Sequence, residues 1–220
     1  MATTPRLPDD RALPLRERKK QHTRRTLAAV ALEQFSTHGF ERVTLEDLTE
    51  RAEISKRTFF RYYSCKESVA VAAEAELWEA YLGEFARTEL HGKVLAGLRA
   101  ALCRAITGMD DDWDRRFLAT RRLIATTPAL RHHSLLVADS TQERLVALLE
   151  EKLGADGRTD PRLRLLGEIT LGAYRVGAKN WTAGRGEGAG RRGQGGRAML
   201  ARRVDEAFGA IAGALALTVP

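Results

Sequence analysis

The chain has 220 residues and a formal net charge of +7, with 36 Lys+Arg against 29 Asp+Glu. Its two cysteines, Cys65 and Cys103, are too few for a disulfide framework and show no metal-ligand spacing. No apolar run reaches the roughly 20 residues of a membrane span, so the counts exclude a stapled secreted scaffold and a membrane-spanning chain and predict a reduced, cytoplasmic protein of one large domain or two modest ones.

The charge is uneven. Residues 1–66 hold 14 Lys+Arg against 9 Asp+Glu, and the remainder holds 22 against 20. A basic N-terminal part favours a polyanionic partner, nucleic acid or an anionic membrane surface, although solubility alone also calls for charge.

Residues 1–14 mix proline, aspartate, arginine and threonine without periodicity and read as a mobile tail; the alternative is a basic arm for the minor groove. They lack the apolar run of a signal peptide. Residues 15–38 predict the first helix. Six cations and one acid lie between Arg16 and Arg25, and then Leu27, Ala31 and Phe35 share one face. Gly39 is a natural C-cap.

The stretch Thr44–Lys66 predicts two short helices joined by a tight turn. Thr44 caps the first, with Asp47 three residues on, and Leu45, Leu48 and Ala52 make its apolar face. Ser55 caps the second. Lys56, Arg57, Thr58 and Arg61 there sit beside Phe59, Phe60, Tyr62 and Tyr63. That is too cationic for a core helix and too aromatic for a solvated one. A helix laid in the major groove accounts for both, because some rings anchor it while cations and hydroxyls face bases and phosphates.

Lys66 starts a long helix to about Arg87, with Trp78, Tyr81, Leu82 and Phe85 in one stripe. Leu95, Leu98, Leu102 and Ala105 make the next stripe, and Trp113, Phe117, Thr120 and Ile124 the one after. Thr127-Pro128 and Asp160-Pro161 each place a cap before a first-turn proline and open helices to about Leu153 and Thr182. Seven glycines between Gly184 and Gly196 predict a flexible loop. A last helix spans Arg197 to about Leu217, with Val204, Phe208, Ile211 and Leu215 on one face. No segment alternates long enough for a strand, so the fold class is all-α with roughly nine helices. A mobile tail (1–14), a basic helix-turn-helix part (15–65) and a helical bundle (66–220) follow in order.

Enzymatic constellations are missing from the sequence. His132 and His133 are adjacent and point apart on a helix, Asp110–Asp112 read as a helix start, and Cys103 has no histidine at helical spacing. No catalytic residue, metal or cofactor is predicted.

The string of Thr44, Ile54-Ser55, Thr58-Phe59-Phe60-Arg61-Tyr62-Tyr63 and Lys66-Glu67 resembles the DNA-binding signature of the TetR family of bacterial transcriptional regulators. The specific match covers the first 65 to 70 residues; the rest agrees in length and helix order. Glu53 stands where the family often has glycine, and Thr49 where a small apolar residue is usual. Glutamate suits that turn if its backbone is not left-handed. The resemblance implies that Ser55, Lys56, Arg57, Thr58 and Phe60 face the major groove. It places Arg61 near bases or phosphates, sends Thr44, Tyr62 and Lys66 to phosphates, and packs Phe59 and Tyr63 inward.

The resemblance further implies a homodimer through the last two helices on a roughly palindromic operator. Leu163, Leu166, Ile169 and Val176 would lie there among Gly167, Gly172 and Gly177, small residues that permit close approach. A small-molecule effector pocket in the bundle is implied too, with Trp78, Tyr81, Phe85, Cys103, Trp113, Phe117, Arg121, Leu136 and Tyr174 as lining residues, each also readable as core. The segment from Phe117 to Leu130 resembles regulators that take acyl-CoA-like effectors. The expected function is a repressor released by its effector; the alternative is a ligand-independent or activating DNA-binding protein of the same fold.

Overall fold

The computed structural model describes residues 15–184 and 193–219. The expected mobile tail and residues 185–192 of the glycine-rich stretch lie outside the described residues. Every regular element among the described residues is a helix: α1 (Leu15–His38), α2 (Leu45–Arg51), α3 (Lys56–Phe60), α4 (Lys66–Ala70), α5 (Ala72–Arg87), α6 (Val94–Thr107), α7 (Trp113–Thr126), α8 (Pro128–Leu153), α9 (Pro161–Ala183), α10 (Gly196–Gly209) and α11 (Ile211–Leu215). The long helix expected from Lys66 is interrupted at Val71, and the last one at Ala210. Counting each interrupted pair as one helix returns the nine expected.

The chain divides into two compact units, Met1–Glu74 with Arg115–Ser134 and Ala75–Asp114 with Leu135–Pro220. This division is discontinuous in sequence, unlike a single boundary after residue 65, because compactness follows contacts in space.

In the first unit α1 packs on α2 and α4. Leu27, Ala31 and Phe35 of α1 are buried with Phe40, Val43, Leu48, Phe59 and Tyr63. Phe35 and Phe40 stand 5.0 Å apart, ring centre to ring centre. Gly39 ends α1 at φ +84°, and its amide donates to the Phe35 carbonyl at 3.0 Å. Glu74 is a buried carboxylate in this unit. It accepts from the Ser134 hydroxyl at 2.8 Å and lies 3.6 Å from the Arg121 guanidinium, which offsets the cost of burying its charge.

In the second unit α9 packs along α10, and α10 against α6. A Cβ on Gly177 would lie 2.6 Å from the backbone of Val204, so glycine there sets how closely α9 and α10 approach. Asp160 caps α9, accepting from the Arg162 amide at 3.0 Å ahead of Pro161. Arg99 of α6 grips Asp205 of α10 with both ends of its guanidinium, Nη2 to Oδ2 at 2.6 Å. None of the helices is long and apolar enough to cross a membrane among the described residues.

Candidate functional site

The reading segment is built by three successive caps, each closed over three residues. Thr44 caps α2: its hydroxyl accepts from the Asp47 amide at 3.2 Å, and the Asp47 carboxylate accepts from the Thr44 amide at 2.7 Å. Those bonds from Thr44 hold the Asp47 carboxyl below its ordinary range. Ser55 caps α3, accepting from the Thr58 amide at 3.1 Å. Cys65 caps α4, with Sγ 3.4 Å from the Ser68 amide and the Ser68 hydroxyl returning to Cys65. The Cys65 cap was invisible in sequence because thiols seldom play that role.

Between α2 and α3 the chain turns through Glu53 at φ +51°, the one non-glycine residue with positive φ among the described residues. The condition under which glutamate would suit the turn, a backbone that is not left-handed, is therefore not met. The backbone is left-handed, which explains why glycine suits the position, and Glu53 holds it at a strain cost of about 1–2 kcal/mol. Thr49 is buried, and its hydroxyl donates to the Glu46 carbonyl at 3.1 Å. A polar residue is thereby tolerated on an apolar face.

Phe59 and Tyr63 anchor α3. Phe59 is fully buried and meets Phe60 edge-on at 5.6 Å. Tyr63 is buried, donates its hydroxyl to the Arg24 carbonyl at 3.1 Å and lies under the Arg24 guanidinium at 5.5 Å. With those rings turned inward, Ser55, Lys56, Arg57, Phe60 and Arg61 are exposed, as is Thr44, while Thr58 is half-buried. Phe60 leaves 54% of its surface to solvent. Arg57 makes no hydrogen bond or ion pair with the described residues. Lys56 pairs with Glu46, whose carboxyl is held below its ordinary range by that lysine. Arg61 stacks over the Tyr62 ring at 5.0 Å.

Lys66 is placed differently from a phosphate-facing residue. Its half-buried ammonium donates to the carbonyls of Phe40 and Val43, both at 2.9 Å, and lies 4.1 Å above the Phe40 ring. The cation is spent on closing the loop before α2, a tie that links residues 23 and 26 positions apart.

The residues expected to line an effector pocket fall in both units. Phe117 and Arg121 belong to the first unit. Phe117 is fully buried there, and the Arg121 guanidinium is turned to Glu74 at 3.6 Å. In the second unit Trp78, Tyr81, Phe85, Trp113 and Tyr174 are all buried. Trp78 meets Tyr174 at 4.5 Å and Tyr81 at 6.3 Å, and Tyr81 meets Phe85 at 6.4 Å, so α5 and α9 bring these rings together. Cys103 stands apart, its thiol 3.8 Å from the Ala201 carbonyl and 4.0 Å from Asp205. Burial and Asp205 push that thiol up to about 11, leaving it unreactive. Leu136 is 52% exposed and rims a groove of about 300 Å³ between α5 and α8 with Trp78 beside it. Thr170, fully buried beside Tyr81, was not singled out by periodicity, since a threonine on an apolar face gives no signal. A hollow of about 590 Å³ between α1 and α2 carries charges of both signs, including Arg42, Arg51, Asp47 and Glu50, and none of the expected effector residues.

A short cationic helix, anchored by two rings and held behind a capped turn, defines a helix-turn-helix DNA-binding regulator. Residues 27–73 match the model of bacterial regulatory proteins of the tetR family, and residues 92–215 match the MftR C-terminal domain. The chain is 30% identical over 173 residues to the HTH-type transcriptional regulator TcmR of Streptomyces glaucescens, covering 76% of each protein. It is 27% identical over 137 residues to MftR of Mycobacterium tuberculosis, covering 62% of this chain and 69% of that protein. A crystal structure of a transcriptional regulator from Aquifex aeolicus shares the fold with a TM-score of 0.50 at 15% identity, over 86% of this chain and 99% of that one. The chain belongs to the TetR family: it is a DNA-binding transcriptional regulator and not an enzyme.

Proposed function

We propose that the protein works in the cytoplasm as a homodimer on a roughly palindromic operator, as a repressor that a small effector releases. The two copies of α3 would sit one turn of DNA apart, about 34–36 Å. The observation that carries the reading is the outward set on α3. Arg57 is exposed and unpaired among the described residues, and Phe60 of the same helix is exposed. Arg57 suits the acceptors of a guanine edge and Phe60 a thymine methyl. Ser55, Lys56 and Thr58 flank them, Lys56 exchanging Glu46 for DNA. Arg61, Tyr62 and Thr44 serve the backbone. The reading part is residues 15–65 and the dimer and effector part residues 66–220.

The dimer face is assigned to α9 with α10 and α11. Leu165 and Val176 of α9 and Leu215 of α11 are large apolar side chains more than half exposed. A Cβ on Gly172 meets nothing within 4 Å, so that helix surface is open to a second backbone. Gly167 and Gly177 serve the monomer instead, against Gln142 of α8 and Val204 of α10. An effector that binds the bundle better when the two reading helices are misplaced lowers operator affinity, and by reciprocity DNA lowers effector affinity equally.

The test is a footprint and binding titration on the DNA upstream of the protein's own gene. A two-fold symmetric footprint is expected. Arg57→Ala should weaken that site by about 10- to 100-fold and random DNA little. An equal loss on both would reduce Arg57 to a phosphate contact, and an asymmetric footprint would sink the dimer.

A further inference from the structure

The second unit buries polar groups that its own packing leaves unserved. Trp78 Nε1 is an obligate donor, fully buried, with no acceptor among the described residues. The hydroxyls of Tyr81 and Thr170 are buried as well, and neither closes a hydrogen bond of full geometry. They are neighbours: burial pushes the Tyr81 phenol above its ordinary range, and the Thr170 hydroxyl offsets this only in part. The phenol therefore remains a protonated donor. Leaving such groups unsatisfied costs about 1–3 kcal/mol each, which a fold rarely bears without a use for them.

Trp78 also lines the α5–α8 groove, together with Leu136, Val137 and Thr141. The groove volume of about 300 Å³ is at the small end for a ligand site. Its ions are Glu79 and Arg144, which neutralise each other through a two-pronged pair, Nη2 to Oε2 at 2.9 Å. No unpaired cation lines it among the described residues. A polyanionic ligand finds no counter-charge there, and a charged group beside Trp78 would lose its hydration without return.

Resting on the effector reading above, we infer that the effector site is this groove extended at Trp78 into the Trp78–Tyr81–Thr170 cluster, Trp78 being the residue that the two share. It takes an uncharged, flat, mainly apolar molecule that presents a hydrogen-bond acceptor such as a carbonyl. The Trp78 and Tyr174 rings, 4.5 Å apart, form its aromatic wall. The Trp78 N–H and the Tyr81 hydroxyl meet the acceptor, and Thr170 orients the phenol. This chemistry differs from the acyl-CoA-like effector that the resemblance implies.

The test uses the full-length protein, calorimetry and three probes: 9-fluorenone, fluorene and palmitoyl-CoA. Fluorenone and fluorene share one shape and differ by the carbonyl. Fluorenone is expected to bind about tenfold or more tighter than fluorene. Trp78→Phe keeps a ring and removes the N–H, so it should erase that preference. Thr170→Val provides the second variant should Trp78→Phe melt early, and it should reduce the preference. Equal binding of the two probes, binding of neither, a preference that survives both substitutions, or displacement of fluorenone by palmitoyl-CoA overturns the inference. Operator release is read separately by fluorescence anisotropy. Fluorenone bound with preference but without release upholds the site and sinks the effector reading; release by palmitoyl-CoA alone upholds the effector reading and sinks this site.

Discussion

The caps of the reading segment and the ion pairs of the second unit act over different distances along the chain. In the first unit, the reading segment is closed by near neighbours: Thr44 with Asp47, Ser55 with Thr58, Cys65 with Ser68. In the second unit, the ties join Arg99 to Asp205, Arg144 to Glu79 and Arg197 to Asp111, partners 65 to 106 positions apart. Short caps fix a small helix at a surface without a large core, which suits an element that must keep its outer side chains for a partner. Long-range pairs and buried rings hold the bundle. One device appears in both units. Lys66 donates to the Phe40 and Val43 carbonyls over the Phe40 ring, and Lys152 donates to the Ala86 and Thr88 carbonyls with its ammonium 5.7 Å from the Phe85 ring. A lysine of this kind is spent inside the fold, however basic the segment around it.

The comparison can be broken at Lys66, a long-range tie beside the locally capped reading segment. Lys66→Met keeps the stem but loses two charge-assisted hydrogen bonds, and should cost about 2–3 kcal/mol in denaturant unfolding. Operator affinity of the folded variant should fall, with the salt dependence unchanged. A slope flattened by about 0.9 would return Lys66 to the phosphates.

Gly177→Ala tests the bundle side. The added methyl meets Val204 backbone at 2.6 Å, which cannot rotate away as a side chain can. The clash should outweigh the roughly 1 kcal/mol that alanine gains in a helix, for a net loss of about 1–2 kcal/mol in thermal melts. A stabilised variant would mean that α9 and α10 have room to part. The smallest effect belongs to the turn. Glu53→Gly should stabilise the protein by about 1 kcal/mol by relieving the left-handed backbone, with operator affinity unchanged. No gain would show that Glu53 makes a compensating contact.

The legibility of the chain follows the same division. Thr44, Ser55, Gly39, Asp160 and Pro161 could be assigned from sequence because a cap is a relation among residues three or four apart. The inward turn of Phe59 and Tyr63, and the exposure of Arg57 and Phe60, followed from helical spacing plus the resemblance. The destinations of Lys66, Arg121 and Gly177 could not be read. Each depends on a partner more than twenty positions away, and periodicity gives the same stripe for a pocket wall and a packed core.

The order of local propensities, caps and charge thus determined by itself an all-helical chain with a basic reading segment, because those signals act over one or two turns. Only the tertiary structure decided which cations remain available to DNA, which glycines serve the monomer and which polar groups lie buried and unserved beside Trp78. Those outcomes are set by what the fold brings next to each side chain.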